Sequence, residues 1–424
     1  MKKNKPAAGE KAKTSAPQGA GIAVKTAPMP SAARSYVALN PGDPAPWFHQ
    51  RSSGNPRYAF DTAGGRYLVM CFFMSTRDAQ ARGALQAVAA HRRLFDDAHI
   101  SFFGISLDPG DEKEGRVKEA MPGIRFLWDF DGAVSRLYGA LPNDSKPGET
   151  QLPTRRFWAV LDPTLRVMAV FPFQPDGGEQ AALFEFLEKL PPPELFAGVP
   201  LQAPVIYLRN VFEPEFCRKL VGLYESHGGK ESGFMREVEG KTVHLIDHNH
   251  KRRSDYLIDD EEIVRQTQSR VQRRILPEIL KVHQFAATRM ERYIVSCYTG
   301  DEGGHFRQHR DNTTKGTAHR RFAISINLND DFEGGELSFP EYGPRSFKMP
   351  VGGAVVFSCS LLHMVSRVTK GKRYAFLAFL YGEEDVAKRE ANNERLHAGE
   401  LQYTSGRDRL FPEEVKPESI PSVA

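Results

Sequence analysis

Cysteine is scarce in this chain, and long apolar runs are missing. The 424 residues hold four cysteines, Cys71, Cys217, Cys297 and Cys359, and none forms a Cys-x-x-Cys pair. That spacing excludes a disulfide framework and a paired-thiol redox centre. Most of the four sit within apolar, strand-like runs, as reduced and packed thiols do. No apolar run approaches the roughly 20 residues of a membrane-spanning helix, and mean hydropathy is −0.45. The first residues, MKKNKPAAGEKAKTSAPQ, are basic but lack the apolar stretch of a secretory signal. The expectation is a cytoplasmic protein without membrane contact. The three tryptophans, Trp47, Trp128 and Trp158, all fall in the first half and read as core or edge aromatics. Gly334-Gly335 and Gly352-Gly353 read as turns between strands, because no helix start follows them as a phosphate loop requires.

A strong charge of one sign is absent too. Net charge is +4, yet residues 1–35 alone carry +6, so the remainder sits near −2. The basic balance belongs to a tail and not to a folded groove, which argues against nucleic acid as a partner. Apolar content of 40% and charged content of 26% are those of a globular chain, and the length allows two or three domains.

What is present divides the chain. Residues 1–37, rich in Ala, Lys, Pro and Ser, read as a disordered leader. A first unit, 38–192, alternates strands and helices. RYLVMCFF (66–73) reads as a strand, DAQARGALQAVAAHRRLFDDA (78–98) as an amphipathic helix and HISFFGISL (99–107) as a second strand. A polar helix follows. FWAVLDPTLRVMAVF (157–171) reads as a hairpin turning at Asp162-Pro163, and EQAALFEFLEKL (179–190) as a closing helix. This is an α/β pattern of thioredoxin type. Pro191-Pro192-Pro193 breaks the last helix and opens a linker, 193–204. A second unit, 205–393, starts with a helix entered at Glu-Pro-Glu and stopped at Gly228-Gly229. Another helix over 261–283 leads into a strand-rich core, about 290–382. A polar tail, 394–424, ends the chain.

The chemistry concentrates in that core. His309-Arg310-Asp311 is followed by His363 and then by Arg373. On a strand, residues i and i+2 share a side, so His309 and Asp311 project together and Arg310 turns away. AVVFSCSLLH (354–363) read as one strand puts Val355, Phe357, Cys359, Leu361 and His363 on one face. VTKGK (368–372) reads as a turn and RYAFLAFLY (373–381) as the return strand, with Arg373, Ala375, Leu377 and Phe379 on one face. Two imidazoles and one carboxylate are the ligand set of a 2-His-1-carboxylate site, which leaves positions open on a non-haem Fe(II). A guanidinium ten residues past the second His can hold the distal carboxylate of a 2-oxo acid with its two-pronged fork. Two rival readings remain open: a surface His and Asp in a polar loop, and a Zn or Mn site of cupin type.

From about Val205 to Asn393 the chain resembles the prolyl 4-hydroxylase-like branch of the Fe(II)/2-oxoglutarate dioxygenases. The resemblance lies in ERYIVSCYTGDEGGHFRQHRDNTTKG (291–316), RRFAISINLNDDFEGGELSFPEYG (320–343), MPVGGAVVFSCSLLH (349–363) and VTKGKRYAFLAFLYG (368–382). It implies a double-stranded β-helix with flanking helices, mainly β. It implies iron on His309, Asp311 and His363, 2-oxoglutarate on Arg373, O2 as oxidant and ascorbate as reductant. Tyr298 stands where the family's Cys-Tyr-x-Gly tyrosine contacts the cosubstrate. Asn327 stands where some relatives place a tyrosine, and is a second candidate for that contact. Met364, where relatives often have an acid, implies a difference on the substrate side. The substrate implied is a peptidyl residue such as proline; a free amino acid, a small metabolite or a nucleobase is the alternative within the same chemistry.

Residues 39–190 resemble the peroxiredoxin branch of the thioredoxin-like fold, through LNPGDPAPWF (39–48), LVMCFFMS (68–75) and RRFWAVLDP (155–163). The family's peroxidatic frame falls here on Met74, Asp78 and Ala81, so the nucleophilic cysteine is missing. Cys71 lies inside the strand, and a buried thiol is not a reactive one. Arg156, which in the family serves that thiolate, is left for a surface ion pair. The unit is expected to pack or to dock a protein partner without peroxidase chemistry. Three smaller expectations concern the second unit. His244, His248 and His250 read as a polar loop and not as a second metal site. Lys251, Arg252 and Arg253 read as a substrate rim or an ion-pair network. Arg270, Arg273 and Arg274 read as the solvated face of a helix.

Overall fold

The computed structural model describes residues 34–146, 149, 152–238, 241–395 and 408–411. The leader up to residue 33 and most of the polar tail lie outside the described residues. The exception in the tail, 408–411, packs on the second unit: Met290 N donates to the Asp408 carbonyl and Leu410 N to that of Thr288.

In the first unit a five-stranded sheet runs in the order Ile124–Trp128, Ile100–Ser106, Tyr67–Met74, Phe157–Leu161, Val167–Pro172. The first three strands are parallel and the last two antiparallel. Tyr67–Met74 is central and buried on both faces. Tyr67, Val69, Cys71 and Phe73 pack toward the two main helices, Ala79–Ala90 and Gly178–Glu188. Leu68, Met70 and Phe72 pack into the opposite layer with Phe60 and Tyr138. A strand covered on both faces needs an unbroken apolar run instead of alternation. At roughly 1.5–3 kcal/mol for each large side chain buried, this strand anchors the unit. Two expectations are corrected. The helix predicted over 78–98 ends at Ala90, and a single 3-10 turn follows. The strand Ile124–Trp128 was not read from the sequence; it lies behind a short helix at Pro109–Lys113 and joins the sheet edge.

The second unit is built on two sheets. One has seven strands in the order Ile206–Leu208, Ala354–Ser358, Phe322–Asn327, Lys372–Tyr381, Arg289–Thr299, Ser254–Leu257, Lys230–Glu231. The other has five, ordered Lys251–Arg252, His305–His309, His363–Val365, Leu337–Ser338, Ser346–Phe347. One face of the large sheet packs on the helices Pro214–His227, Glu261–Arg274 and Leu276–His283 through Met290, Tyr293, Val295, Tyr374, Phe376 and Leu380. The other face meets the small sheet, with Tyr298, Val355 and Phe357 against Phe306, Leu337 and Val365. The predicted helix over 261–283 divides at Ile275, because Pro277 cannot donate a mid-helix hydrogen bond and begins a new segment. The entry at Pro214 and the stop at Gly228, φ 74°, are as expected.

Two further corrections bear on the site. The run 354–363 is not one strand. Ala354–Ser358 belongs to the large sheet, the chain turns over 359–362, and His363–Val365 enters the small sheet. The return strand Lys372–Tyr381 pairs with Arg289–Thr299 and Phe322–Asn327, not with the strand bearing His363. The 368–372 segment is only partly a turn: Val368–Lys370 pairs with Glu333–Gly334, and Gly371, φ 73°, reverses the chain. Among the described residues no helix is long and apolar enough to cross a membrane.

Candidate metal centre and its cavity

His309 closes the strand His305–His309, Asp311 follows in a turn, and His363 opens the neighbouring strand. His309 and His363 are directly paired across the ladder. Asp311 is fixed from behind by its own N–H, which donates to the Cys359 carbonyl at 2.9 Å. The three side chains converge. His309 Nε2 lies 3.5 Å from Asp311 Oδ1, and His363 Nε2 lies 3.4 Å from Asp311 Oδ2. One ligand atom from each lies within 4.8 Å of the others.

Both rings are oriented in the same way. His309 Nδ1 lies 2.7 Å from the Arg307 carbonyl and His363 Nδ1 lies 3.0 Å from the Leu361 carbonyl. A carbonyl accepts, so Nδ1 carries the proton in each and the Nε2 lone pair is left facing Asp311. Burial, and after it the neighbouring His363, push His309 down to about 4, so its imidazole is neutral at ordinary pH. Burial works to raise Asp311, but the facing His363 and His309 hold it well below the usual carboxylate range. Phe306 stacks on the His309 ring at 3.5 Å between centroids, and Phe357 meets His363 edge-on.

The centre opens into a cavity between the two sheets, also lined by Tyr298, Arg373, Arg253 and Leu377. Arg373 is buried. Its Nε and Nη2 donate to Asn327 Oδ1 at 3.3 and 3.0 Å, and Nη2 reaches Ser325 Oγ at 3.3 Å. Its Nη1 is buried with no hydrogen-bond partner. An unmatched guanidinium nitrogen in a buried site is costly, and a carboxylate would satisfy it. The donor set and this nitrogen therefore fit the metal and the 2-oxo acid implied by the sequence. Tyr298 stands beside it, its ring 5.3 Å from the Arg373 guanidinium carbon and its hydroxyl accepting from Arg253 at 3.4 Å. Asn327 sits one step back: its amide donates to the Met349 carbonyl at 2.8 Å while its oxygen steadies Arg373.

The other candidates separate. His244 accepts from Gly233 N, His248 pairs with Glu231, and His250 packs against Phe234 and Phe306. They form no ligand cluster; among the described residues that distinction is held by His309, Asp311 and His363. Lys251 is buried, donating to Ser232 Oγ and to the Gly233 carbonyl, and Arg253 pairs with Asp255 at 2.7 Å. Both line the cavity. Arg270 and Arg274 are not simply solvated, since they grip Glu213 at 2.7 and 2.5 Å. Sequence reasoning missed Arg292 and Arg320 as cavity residues. The alternation of the 289–299 strand, traced back from Tyr298 through Ile294, was the available signal for Arg292.

Arg310 turns away from the metal ligands, as expected, and its destination is the first unit. Its fork grips Glu341 at 2.7 and 3.1 Å, and Nε reaches Asp61 Oδ2 at 3.3 Å. Its guanidinium carbon lies 4.3 Å above the Trp47 ring. Trp47 is thus neither core nor edge of its own sheet; it is 51% exposed and lies under a side chain of the metal segment. Gly65, φ 94°, permits the approach, because a Cβ there would stand 2.7 Å from the Pro340 Cβ. In the first unit Cys71 is fully buried, and burial pushes its thiol well above the ordinary range. Asp78 caps the helix Ala79–Ala90 and pairs with Arg156.

Residues 293–381 match the 2OG-Fe(II) oxygenase superfamily. The PKHD-type hydroxylase PiuC of Pseudomonas aeruginosa is 35% identical over 91 residues, which make up 19% of this chain and 39% of that protein. The chain thus spans about two fifths of the length of the curated relatives it matches. Among solved structures, a prolyl hydroxylase of Trichoplax adhaerens in complex with a hypoxia inducible factor peptide fragment aligns at 17% identity. It covers 50% of this chain and 96% of that one, with a TM-score of 0.33. Xanthomonas campestris peroxiredoxin Q aligns at 19% identity over 33% of this chain and 89% of its own, with a TM-score of 0.27. Residues 293–381 therefore carry the match to a 2OG-Fe(II) oxygenase domain, with PKHD-type hydroxylases among the relatives of a 91-residue segment.

Proposed function

We propose that the second unit, read as a double-stranded β-helix, is an Fe(II)- and 2-oxoglutarate-dependent hydroxylase acting on an unactivated C–H bond of a peptidyl residue such as proline. The observation that carries the reading is the buried, partnerless Arg373 Nη1 in the same cavity as the His309–Asp311–His363 cluster. Bound iron with 2-oxoglutarate and O2 would supply the oxidation, converting the oxo acid to succinate and CO2 while one oxygen atom enters the substrate. The chain supplies the rest. His309 and His363 present neutral Nε2 atoms whose orientation the Arg307 and Leu361 carbonyls fix. Asp311 completes the set and offsets part of the metal charge. Arg373, steadied by Asn327 and Ser325, binds the distal carboxylate, with Tyr298 beside it. The aromatic walls at Phe306 and Phe357 keep water from the ligand side.

The test is Fe(II)-dependent succinate formation from 2-oxoglutarate under O2, with Asp311→Ala as control. Succinate from the native chain and none from the variant is the expected result. Equal turnover by both, or bound iron without any turnover across a substrate panel, would overturn the reading.

A further inference from the structure

The cavity holds a cation that the proposed chemistry leaves unassigned. Five arginines line the cavity and can be sorted by their partners; Arg310 is taken by Glu341 and Asp61. Arg253 pairs with Asp255, Arg320 pairs with Glu291 at 2.6 Å, and Arg373 awaits the 2-oxo acid. Arg292 makes no hydrogen bond or ion pair with any described residue, yet it lines the cavity.

The backbone puts it there. Arg292 has φ 63°, a left-handed conformation that a residue with a long side chain rarely adopts. It lies in a bulge: Glu291 pairs with Phe379 and Ile294 with Leu377, so Arg292 and Tyr293 face Ala378 alone. Met290 and Tyr293 both pack in the helix-side core, so the residues between them turn out of it. Bulges re-aim side chains next to active sites, at a cost in local strain. Arg292 thus stays on the cavity side with Ile294 and Tyr298; Asp255 and Glu291 attract it, but neither forms a hydrogen bond or ion pair with it. Burial and the neighbouring Arg320 depress it to about 10, which leaves it charged at neutral pH.

The charges of the proposed ligands do not neutralise it. An Fe(II) dication offsets a 2-oxoglutarate dianion, and Asp311 offsets Arg373. Burial holds Lys251 well below its ordinary value, with Ser232 Oγ and the Gly233 carbonyl as its partners. Arg292 is then left over, in a cavity where Arg253 and Arg320 already pair with the nearby carboxylates.

We infer that Arg292 binds a carboxylate of the primary substrate, so that this cavity selects acidic substrates. This rests on the reading of the site as a 2-oxoglutarate-dependent hydroxylase. The carboxylate can come from an acidic side chain of a peptide or from a free amino acid, and the test separates the two. The full chain, loaded with Mn(II), is first titrated calorimetrically with 2-oxoglutarate. No binding at that stage would overturn the reading on which the inference stands. With 2-oxoglutarate saturating, matched pairs are then titrated: proline-containing peptides differing by Glu against Gln or Asp against Asn, and free glutamate and aspartate against their amides. The expected result is that at least one acidic member binds about tenfold or more tightly than its amide twin. The peptide or the free-acid arm identifies the source. Arg292→Asn and Arg292→Gly, both compatible with the left-handed backbone, should erase that preference, and Arg292→Lys should keep part of it. Melting curves of the variants check that they fold. Equal binding of acid and amide throughout, or no binding by any member, would overturn the inference. So would a preference that survives in the Asn and Gly variants, or a variant effect confined to 2-oxoglutarate affinity.

Discussion

The two units treat comparable residues in opposite ways. In the first unit Asp78 caps a helix and holds Arg156, and Cys71 is sealed in the central strand. Among the described residues of that unit no guanidinium has a buried nitrogen without a partner. In the second unit Arg253, Arg289 and Arg373 each keep such a nitrogen, and Arg292 makes no hydrogen bond or ion pair with any described residue; Arg253, Arg292 and Arg373 face one cavity. Unmatched buried polar atoms occur in both units, on Tyr67, Trp128 and Trp158 of the first among others, so the informative ones are those that line a cavity beside a ligand set. The units nevertheless meet at the metal segment. Arg310, between two candidate ligands, is held by Asp61 and Trp47 of the first unit and by Glu341 of the second. The first unit is therefore in a position to support the segment that carries His309 and Asp311.

Three substitutions sharpen this contrast. The largest effect is expected from Arg373→Ala, which should raise the KM for 2-oxoglutarate by about 100-fold while leaving Mn(II) retention intact; steady-state succinate assays and metal analysis check it. Arg310→Ala comes next. It strands Asp61 and Glu341 as buried carboxylates, so a cost of about 3–5 kcal/mol in stability is expected, read by denaturant unfolding. Mn(II) affinity should also fall, by about tenfold, because the ligand segment loses its anchor. Unchanged metal affinity would mean that the two units merely touch. The smallest effect belongs to Asp129, inside the first unit. It accepts from Val134 N at 2.9 Å and Ser135 N at 2.7 Å, and burial pushes it up to about 6. Its folded form binds a proton below about pH 6, whereas the unfolded chain does so only near its ordinary value of 3.8. This group therefore adds stability as pH falls from 7 toward 4 and loses it as pH rises through 6. Asp129→Asn keeps an acceptor for the helix start and should flatten that slope, shifting melting temperature at pH 7 upward by a few degrees at most (about 2–4 °C per kcal/mol). Succinate formation should not change.

Much of the site was legible because its chemistry is local. His309 and Asp311 sit two apart, and His363 and Arg373 ten apart, so short-range periodicity was enough to put each pair on one side. The route was less legible. Periodicity suggested one continuous strand from Ala354 to His363, whereas the chain changes sheets over 359–362. The two descriptions place His363 on the same side of the cavity, which is why the error did no harm. Asn327 was read as a cosubstrate contact and stands behind Arg373. The bulge at Arg292 was invisible, since its φ of 63° follows from pairing with the 372–381 strand and not from any local turn signal.

By itself the sequence pointed to His309, Asp311 and His363 as one cluster and to Arg373 on the same cavity, because those depend on residue type and near spacing, and the structure brings them together. Only the tertiary structure decided where the unmatched charges fall, that Arg310 and Trp47 join the two units, and that His244, His248 and His250 take separate partners. Those outcomes depend on which distant groups happen to face one another, and a buried charge has no preferred partner until the chain has folded around it.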